Sequence, residues 1–134
     1  MNPDTYKGIF GGQNCRDSPI QPIRNDCNCS CAKKSEECSA ADKYIEQLEQ
    51  LLMYSMPQKK VAAMFLESIQ GVGGVVQFPK TYVSKAAKLI RQNGGLIVSD
   101  EVQTGFGRTG DNMWNFMDHG IVPDIVTMAK SIGS

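Results

Sequence analysis

Apolar and polar residues along this chain recur with two different periods, and the changes of period predict its elements. Three short apolar runs, 61–66, 96–98 and 125–126, are each bounded by turn signals and read as buried strands of a parallel sheet. Between the first two, Val83, Ala86, Ala87 and Ile90 recur at helical spacing while Lys85, Lys88 and Arg91 fall outside. Pro79, Lys80 and Thr81 can start that helix, and Asn93, Gly94 and Gly95 stop it. Strand, helix, strand over this length implies a right-handed crossover, which places the chain in the α/β class.

A second helical stretch opens at Ser39, a candidate N-cap, and ends before Pro57. Ile45, Leu48, Leu51 and Leu52 are spaced to form its apolar stripe, with Lys43, Glu46, Gln47, Glu49 and Gln50 opposite, so it reads as a helix covering the sheet. Residues 1–40 hold no sustained period and are rich in Pro, Gly, Asn, Ser and Cys. They read as a loop-like, cysteine-containing segment ahead of a folded unit over 41–134.

Composition narrows the partners. Fourteen basic residues offset fourteen acidic ones, so nothing argues for nucleic acid or an anionic membrane. No apolar run approaches the roughly 18 residues of a membrane span, and residues 1–4 lack the basic flank and apolar region of a signal peptide. Small polar metabolites remain compatible. Cys27, Cys29 and Cys31 alternate with other residues, with Cys15 and Cys38 nearby. That pattern fits the paired spacing of zinc sites poorly, and five is an odd number for a disulfide framework. A reduced surface loop is the preferred reading, and a small zinc-binding module the alternative.

Each strand delivers a polar group towards one edge: Glu67 after the first, Asp100 after the second, Lys130 a few residues past the third. In open α/β sheets, ligands sit beyond the carboxyl ends of the strands. An amine and a carboxylate meeting there suit pyridoxal phosphate. The amine can form a Schiff base with the cofactor's aldehyde, and the carboxylate keeps the pyridine nitrogen protonated so that the ring accepts electrons. Glu101 offers the same chemistry as Asp100, and the residues alone do not choose between them.

Two glycine clusters need separate weighing. Gly71, Gly73 and Gly74 make a shaped turn beside the site but lack the Gly-Lys-Ser/Thr ending of a phosphate-binding P-loop. Gly105, Gly107 and Gly110 match GxGxxG, the nicotinamide-dinucleotide fingerprint, yet residues 100–104 separate them from the strand and no helix is predicted to open there. They read as a compact loop, with Phe106 and Trp114 as packing residues.

The run Asp-Glu-Val-Gln-Thr-Gly-Phe-Gly-Arg-Thr-Gly at 100–110, followed by Asp-Ile-Val-Thr-Met-Ala-Lys at 124–130, resembles the class III pyridoxal-phosphate-dependent aminotransferases. Within them the chain looks most like the mitochondrial alanine–glyoxylate aminotransferase 2 group, which segments 2–4, 15–19 and 67–75 also resemble. The resemblance implies part of the three-layer, parallel-sheet large domain of the fold-type I transferases. It implies Lys130 as the Schiff-base lysine and proton carrier, Asp100 as partner of the pyridine nitrogen, Val102 against the ring face and Gln103 on its phenolic oxygen. Glu67 resembles an active-site acid that orients Gln103 or the substrate.

By the same resemblance the substrates are amino acids and keto acids: alanine or a β- or ω-amino acid as donor, glyoxylate or pyruvate as acceptor. A homo-oligomer, dimer or tetramer, in the mitochondrion is implied too. A phospho-lyase acting on an amino alcohol phosphate shares the core motif, and an inactive truncated remnant is the alternative from another class. Ser68 stands where many relatives have proline, and Val72 where ornithine-type relatives have a glutamate that pairs with a substrate-binding arginine, so an ornithine-like specificity is not expected. Ser131 and Ser134 depart from the family's small glycine-rich positions. The family's phosphate-binding loop, its threonine from a neighbouring subunit and its substrate-carboxylate arginine have no counterpart here, so the chain reads as a middle fragment.

Overall fold

The centre of the fold is the strand 96–100, because its two faces have opposite fates. A computed structural model describes residues 3–10, 18–20, 39–56 and 60–133. In chain order its helices are α1 (Ser39–Ser55) and α2 (Tyr82–Gln92), and its strands β1 (Ala63–Glu67), β2 (Ile69–Gln70), β3 (Val76–Gln77), β4 (Leu96–Asp100) and β5 (Ile125–Thr127). The three expected strands form a parallel sheet of order β1-β4-β5, with Phe65 opposite Val98 and Val98 opposite Ile125.

Residues in register share a face. Met64, Leu66, Ile97 and Ser99 therefore lie on one side, where Leu66 and Ile97 join Phe78, Val83, Ala87, Ile90, Leu52 and Ile121 in the core. The opposite side carries Phe65, Leu96, Val98 and Ile125. Although their apolar runs predicted strands buried on both faces, Phe65 is 72% exposed and Leu96 and Ile125 about half exposed. Among the described residues helices cover one face, which leaves only Val98 at the centre of the other shielded.

Helix α2 matches its predicted stripe: Val83, Ala86, Ala87 and Ile90 are all buried. Gly94, at φ 82°, follows the Asn93 cap and turns the chain into β4, a conformation that favours glycine. Helix α1 runs as expected to Ser55, but its stripe differs. Ala40, Ala41, Tyr44 and Leu52 are buried, whereas Leu51 is 48% exposed. The helix packs chiefly on α2, with Leu52 reaching the core that Leu66 and Ile97 share, so small alanines and a tyrosine ring face the contact with α2. An Asp42–Lys85 ion pair crosses it at the surface.

Residues 3–10 are irregular but docked. Pro3, Asp4 and Thr5 are buried, and the Thr5 amide donates to the Gln77 carbonyl at 2.9 Å. The Tyr44 hydroxyl donates to the Asp4 carbonyl and accepts from the Phe10 amide. Rings then run from Phe10 to Tyr44, Tyr82, Phe78 and His119, each pair 4.9 to 6.3 Å between centroids. The cysteines, Pro57 and Ser134 lie outside the described residues. Among the elements not anticipated, β2 and β3 form an antiparallel hairpin around the glycine turn 71–74, and short 3-10 helices span Asn115–His119 and Lys130–Ile132.

Candidate active site

The carboxyl ends of the three parallel strands bring the candidate residues to one edge. Glu67 is in register with Asp100, and Asp100 with Thr127. Lys130 follows three residues later, so its Cα lies within about 11 Å of that of Thr127, the reach of a fully extended chain. Asp100 is half-buried, and its Oδ1 accepts the Val102 amide at 3.0 Å. Among the described residues that is its one side-chain hydrogen bond, so the second oxygen keeps its accepting capacity.

Glu101 is the opposite case. It is fully buried, and its carboxylate accepts five hydrogen bonds. The Ser68 and Ser99 hydroxyls, each at 3.1 Å, and the Phe116 amide at 2.9 Å donate to Oε1. The Thr104 hydroxyl at 2.9 Å and the Asn115 amide at 3.0 Å donate to Oε2. Five donors on a buried carboxylate use its lone pairs, so it has none to offer a ligand. Of the two adjacent carboxylates, Asp100 is the one that keeps accepting capacity.

These donors are the residues that sequence reasoning missed. Strand alternation was the available signal: counting by two from the apolar Ile97 puts Ser99 and Glu101 on the helix-covered side and Asp100 on the other. His119 closes the far end of this network. Its Nε2–H donates to the Ser68 carbonyl at 3.0 Å, and burial holds its pKa below the usual histidine value, leaving it neutral.

Glu67 and Gln103 meet at the hairpin turn. Glu67 Oε2 accepts the Gly71 amide at 2.9 Å, and a side chain at Gly71 would strike the Gln103 Oε1, 1.9 Å from an ideal Cβ. Gln103 also lines a shallow cleft of about 440 Å³ between the hairpin and its own loop, with Ile69, Gly71, Val72, Val75 and Arg108. Val102, half-buried, and the other candidates do not line it.

Lys130 is exposed and starts a short 3-10 turn, Lys130–Ile132, with φ 41°. Among the described residues its amine makes no ion pair or hydrogen bond. Beside it, Arg108 Nη2 donates to the Ser131 hydroxyl at 3.1 Å, tying the loop 104–110 to the turn that presents the lysine. Phe106 and Val75 also hold positive φ, at 62° and 55°. Each left-handed non-glycine residue costs on the order of 1–3 kcal/mol, a strain that gathers at functional sites.

The loop 105–110 does not open a helix. It is a run of turns closed by Gly107 N to the Met113 carbonyl, with Phe106 and Trp114 edge to face at 5.0 Å. That removes the structural context of a dinucleotide fingerprint and confirms both rings as packing residues. Among the described residues no cluster of His, Cys, Asp and Glu is arranged to hold a metal, and no helix is long and apolar enough to cross a membrane.

The family described as aminotransferase class III matches residues 10–134. Human mitochondrial alanine–glyoxylate aminotransferase 2 is 52% identical over 134 residues, all of this chain and 25% of that protein. An ethanolamine-phosphate phospho-lyase homologue of Caenorhabditis elegans is 50% identical over 76 residues, 55% of this chain and 16% of that protein. The taurine:2-oxoglutarate aminotransferase of Bifidobacterium kashiwanohense, solved in complex with PLP and glutamate, is 37% identical. It superposes with a TM-score of 0.63 over 69% of this chain and 20% of its own. The chain spans about a quarter of the length of the human relative.

Proposed function

The chain belongs to the class III aminotransferases, and we propose that the whole protein moves an amino group from alanine or a β- or ω-amino acid to glyoxylate or pyruvate, using pyridoxal 5′-phosphate. The observation that carries this reading is the division of labour at 100–101: Glu101 is saturated, while Asp100 keeps an oxygen for a cationic donor and Lys130 keeps a free amine. That donor set fits the cofactor. Bound there, pyridoxal phosphate supplies an electron sink for the substrate's amino-bearing carbon.

The residues of the chain do the rest. Lys130 would hold the cofactor through its aldehyde and, once exchanged for substrate, would take the proton from the substrate carbon. Asp100 Oδ2 would accept from the pyridine N–H in a charge-assisted hydrogen bond. Val102 would pack on the ring face, and Gln103 would donate its side-chain amide to the phenolic oxygen. Glu67, holding the Gly71 amide, keeps the turn against which Gln103 rests.

We also propose residues 1–40 as a loop-like segment ahead of the cofactor-binding unit 41–134, a homodimer or homotetramer, and a mitochondrial location like that named for the human relative. Reduction with borohydride in the presence of pyridoxal phosphate, followed by peptide mapping, tests the central point. Label at Lys130 that is absent from Lys130→Ala supports it; label spread evenly over the other lysines refutes it and favours an inactive remnant. The phospho-lyase match over 76 residues gives a second reading. Turnover of ethanolamine phosphate without amino transfer from alanine to glyoxylate decides for that one.

A further inference from the structure

We infer that Glu101 is the positioning residue of the site: through its five hydrogen bonds it fixes the backbone on which Asp100, Val102 and Gln103 are presented. This rests on the function proposed above for those three residues. The argument starts from alternation. Adjacent strand residues face opposite ways, so anchoring Glu101 on the helix-covered side commits Asp100 to the open side.

The anchors come from four places in the chain. Ser68 follows β1, Ser99 is in β4, Thr104 is in the loop beyond Gln103, and the Asn115 and Phe116 amides begin the 3-10 helix Asn115–His119. The main chain of Glu101 adds two more bonds, from its amide to the Thr127 carbonyl at 2.9 Å and from the Gly105 amide to its carbonyl at 3.0 Å. Residues 100–105 are thus held at both ends, with Glu101 common to every tie.

The site also demands a carboxylate. Hydroxyls can turn and accept, but the backbone amides cannot, and one sits on each oxygen: Phe116 on Oε1 and Asn115 on Oε2. A glutamine of identical shape must set its NH2 against one of them, whichever way it is flipped. Glu101→Gln therefore breaks the anchor without opening a cavity.

The experiment compares Glu101→Gln with Ile90→Ala, a core variant beside Gly95 at the opposite end of β4 from the site, at matched distance from their unfolding midpoints. Two quantities are read: exchange of the Val102 amide, which is bonded to Asp100, and affinity for pyridoxal phosphate. Expected are Val102 exchange about tenfold faster than in the control and a Kd raised about tenfold, the lower end of what groups orienting metal ligands contribute. Equal exchange and equal Kd in the two variants overturn the inference.

Should Glu101→Gln fail to fold, Ser68→Ala and Thr104→Val each delete one hydroxyl donor and are read in the same way. Wild-type Val102 exchange in both overturns the claim; faster exchange in either sustains it. If the unaltered protein binds no cofactor, the proposed function fails, while the exchange comparison still decides what Glu101 does.

Discussion

Ile97 and Phe65 sit on neighbouring strands of one sheet but on opposite faces, and truncating each measures how one-sided the core is. Ile97 is fully buried, so Ile97→Ala removes core methylenes and leaves a void, a change that costs about 2–5 kcal/mol. Phe65 is 72% exposed. The remaining quarter or so of a side chain that buries 150–250 Å² when fully covered is about 50 Å², or roughly 1 kcal/mol at about 25 cal/mol per Å². Ile97→Ala should thus be at least twice as damaging as Phe65→Ala, although it removes fewer atoms.

Urea unfolding followed by the fluorescence of Trp114, the single tryptophan, is a direct assay. With slopes of about 1–3 kcal/mol per M, a loss of about 3 kcal/mol lowers the midpoint by about 1–3 M. Phe65→Ala should lower it by well under half of that. Equal shifts would refute the assignment of Phe65 to an open face and require something to cover it.

Gly71→Ala should leave stability within about 0.5 kcal/mol, because the colliding group is the flexible end of Gln103, yet it should weaken cofactor binding by displacing that amide; titration with pyridoxal phosphate checks it. Gly105→Ala drives a methyl to 2.8 Å from the Glu101 carbonyl and 2.9 Å from the Trp114 ring, an overpacking worth about 1–3 kcal/mol by denaturant titration. Two groups contribute to the acid response with a known sign. Burial lowers the folded pKa of His119, so its contribution is whole above about pH 6.5 and lost as pH falls below it, and His119→Gln should flatten stability there. The Ile97 amide and Arg91 lower that of Asp124, so its contribution is whole above about pH 4 and lost on further acidification, which Asp124→Asn should remove.

How much of this was legible in the sequence depends on the reach of each signal. Strands β1, β4 and β5 were readable as short apolar runs between turn signals, although those runs did not show that one face stays open, and the stripe of α2 was readable because burial there follows the local period. The stripe of α1 was misread at Leu51, because Tyr44, Ala40 and Ala41 are chosen by the contact with α2 and by residues 3–10, which no local pattern reports. The hairpin escaped since two-residue strands have no period to count. Lys130 and Asp100 could be proposed from their chemistry and position, but the hub around Glu101 joins residues up to 33 apart in the chain, and only folding brings those donors together.

One further step follows from the adjacency of Asp100 and Glu101. A single carboxylate cannot both saturate five buried donors and remain free to accept from a ligand, since its acceptor sites number about four. Two consecutive carboxylates at the end of a parallel strand divide the tasks automatically, because the pleat sends them to opposite faces. The buried one draws the end of β1, the loop beyond Gln103 and the start of the 3-10 helix into one frame, and the half-buried one is held within that frame by the Val102 amide. Exchanging the pair, Asp100→Glu with Glu101→Asp, keeps charge and composition but shortens the buried arm by a methylene. The five donors then lie out of reach of the shorter arm, so the double variant should lose both the fold at this edge and the affinity for pyridoxal phosphate.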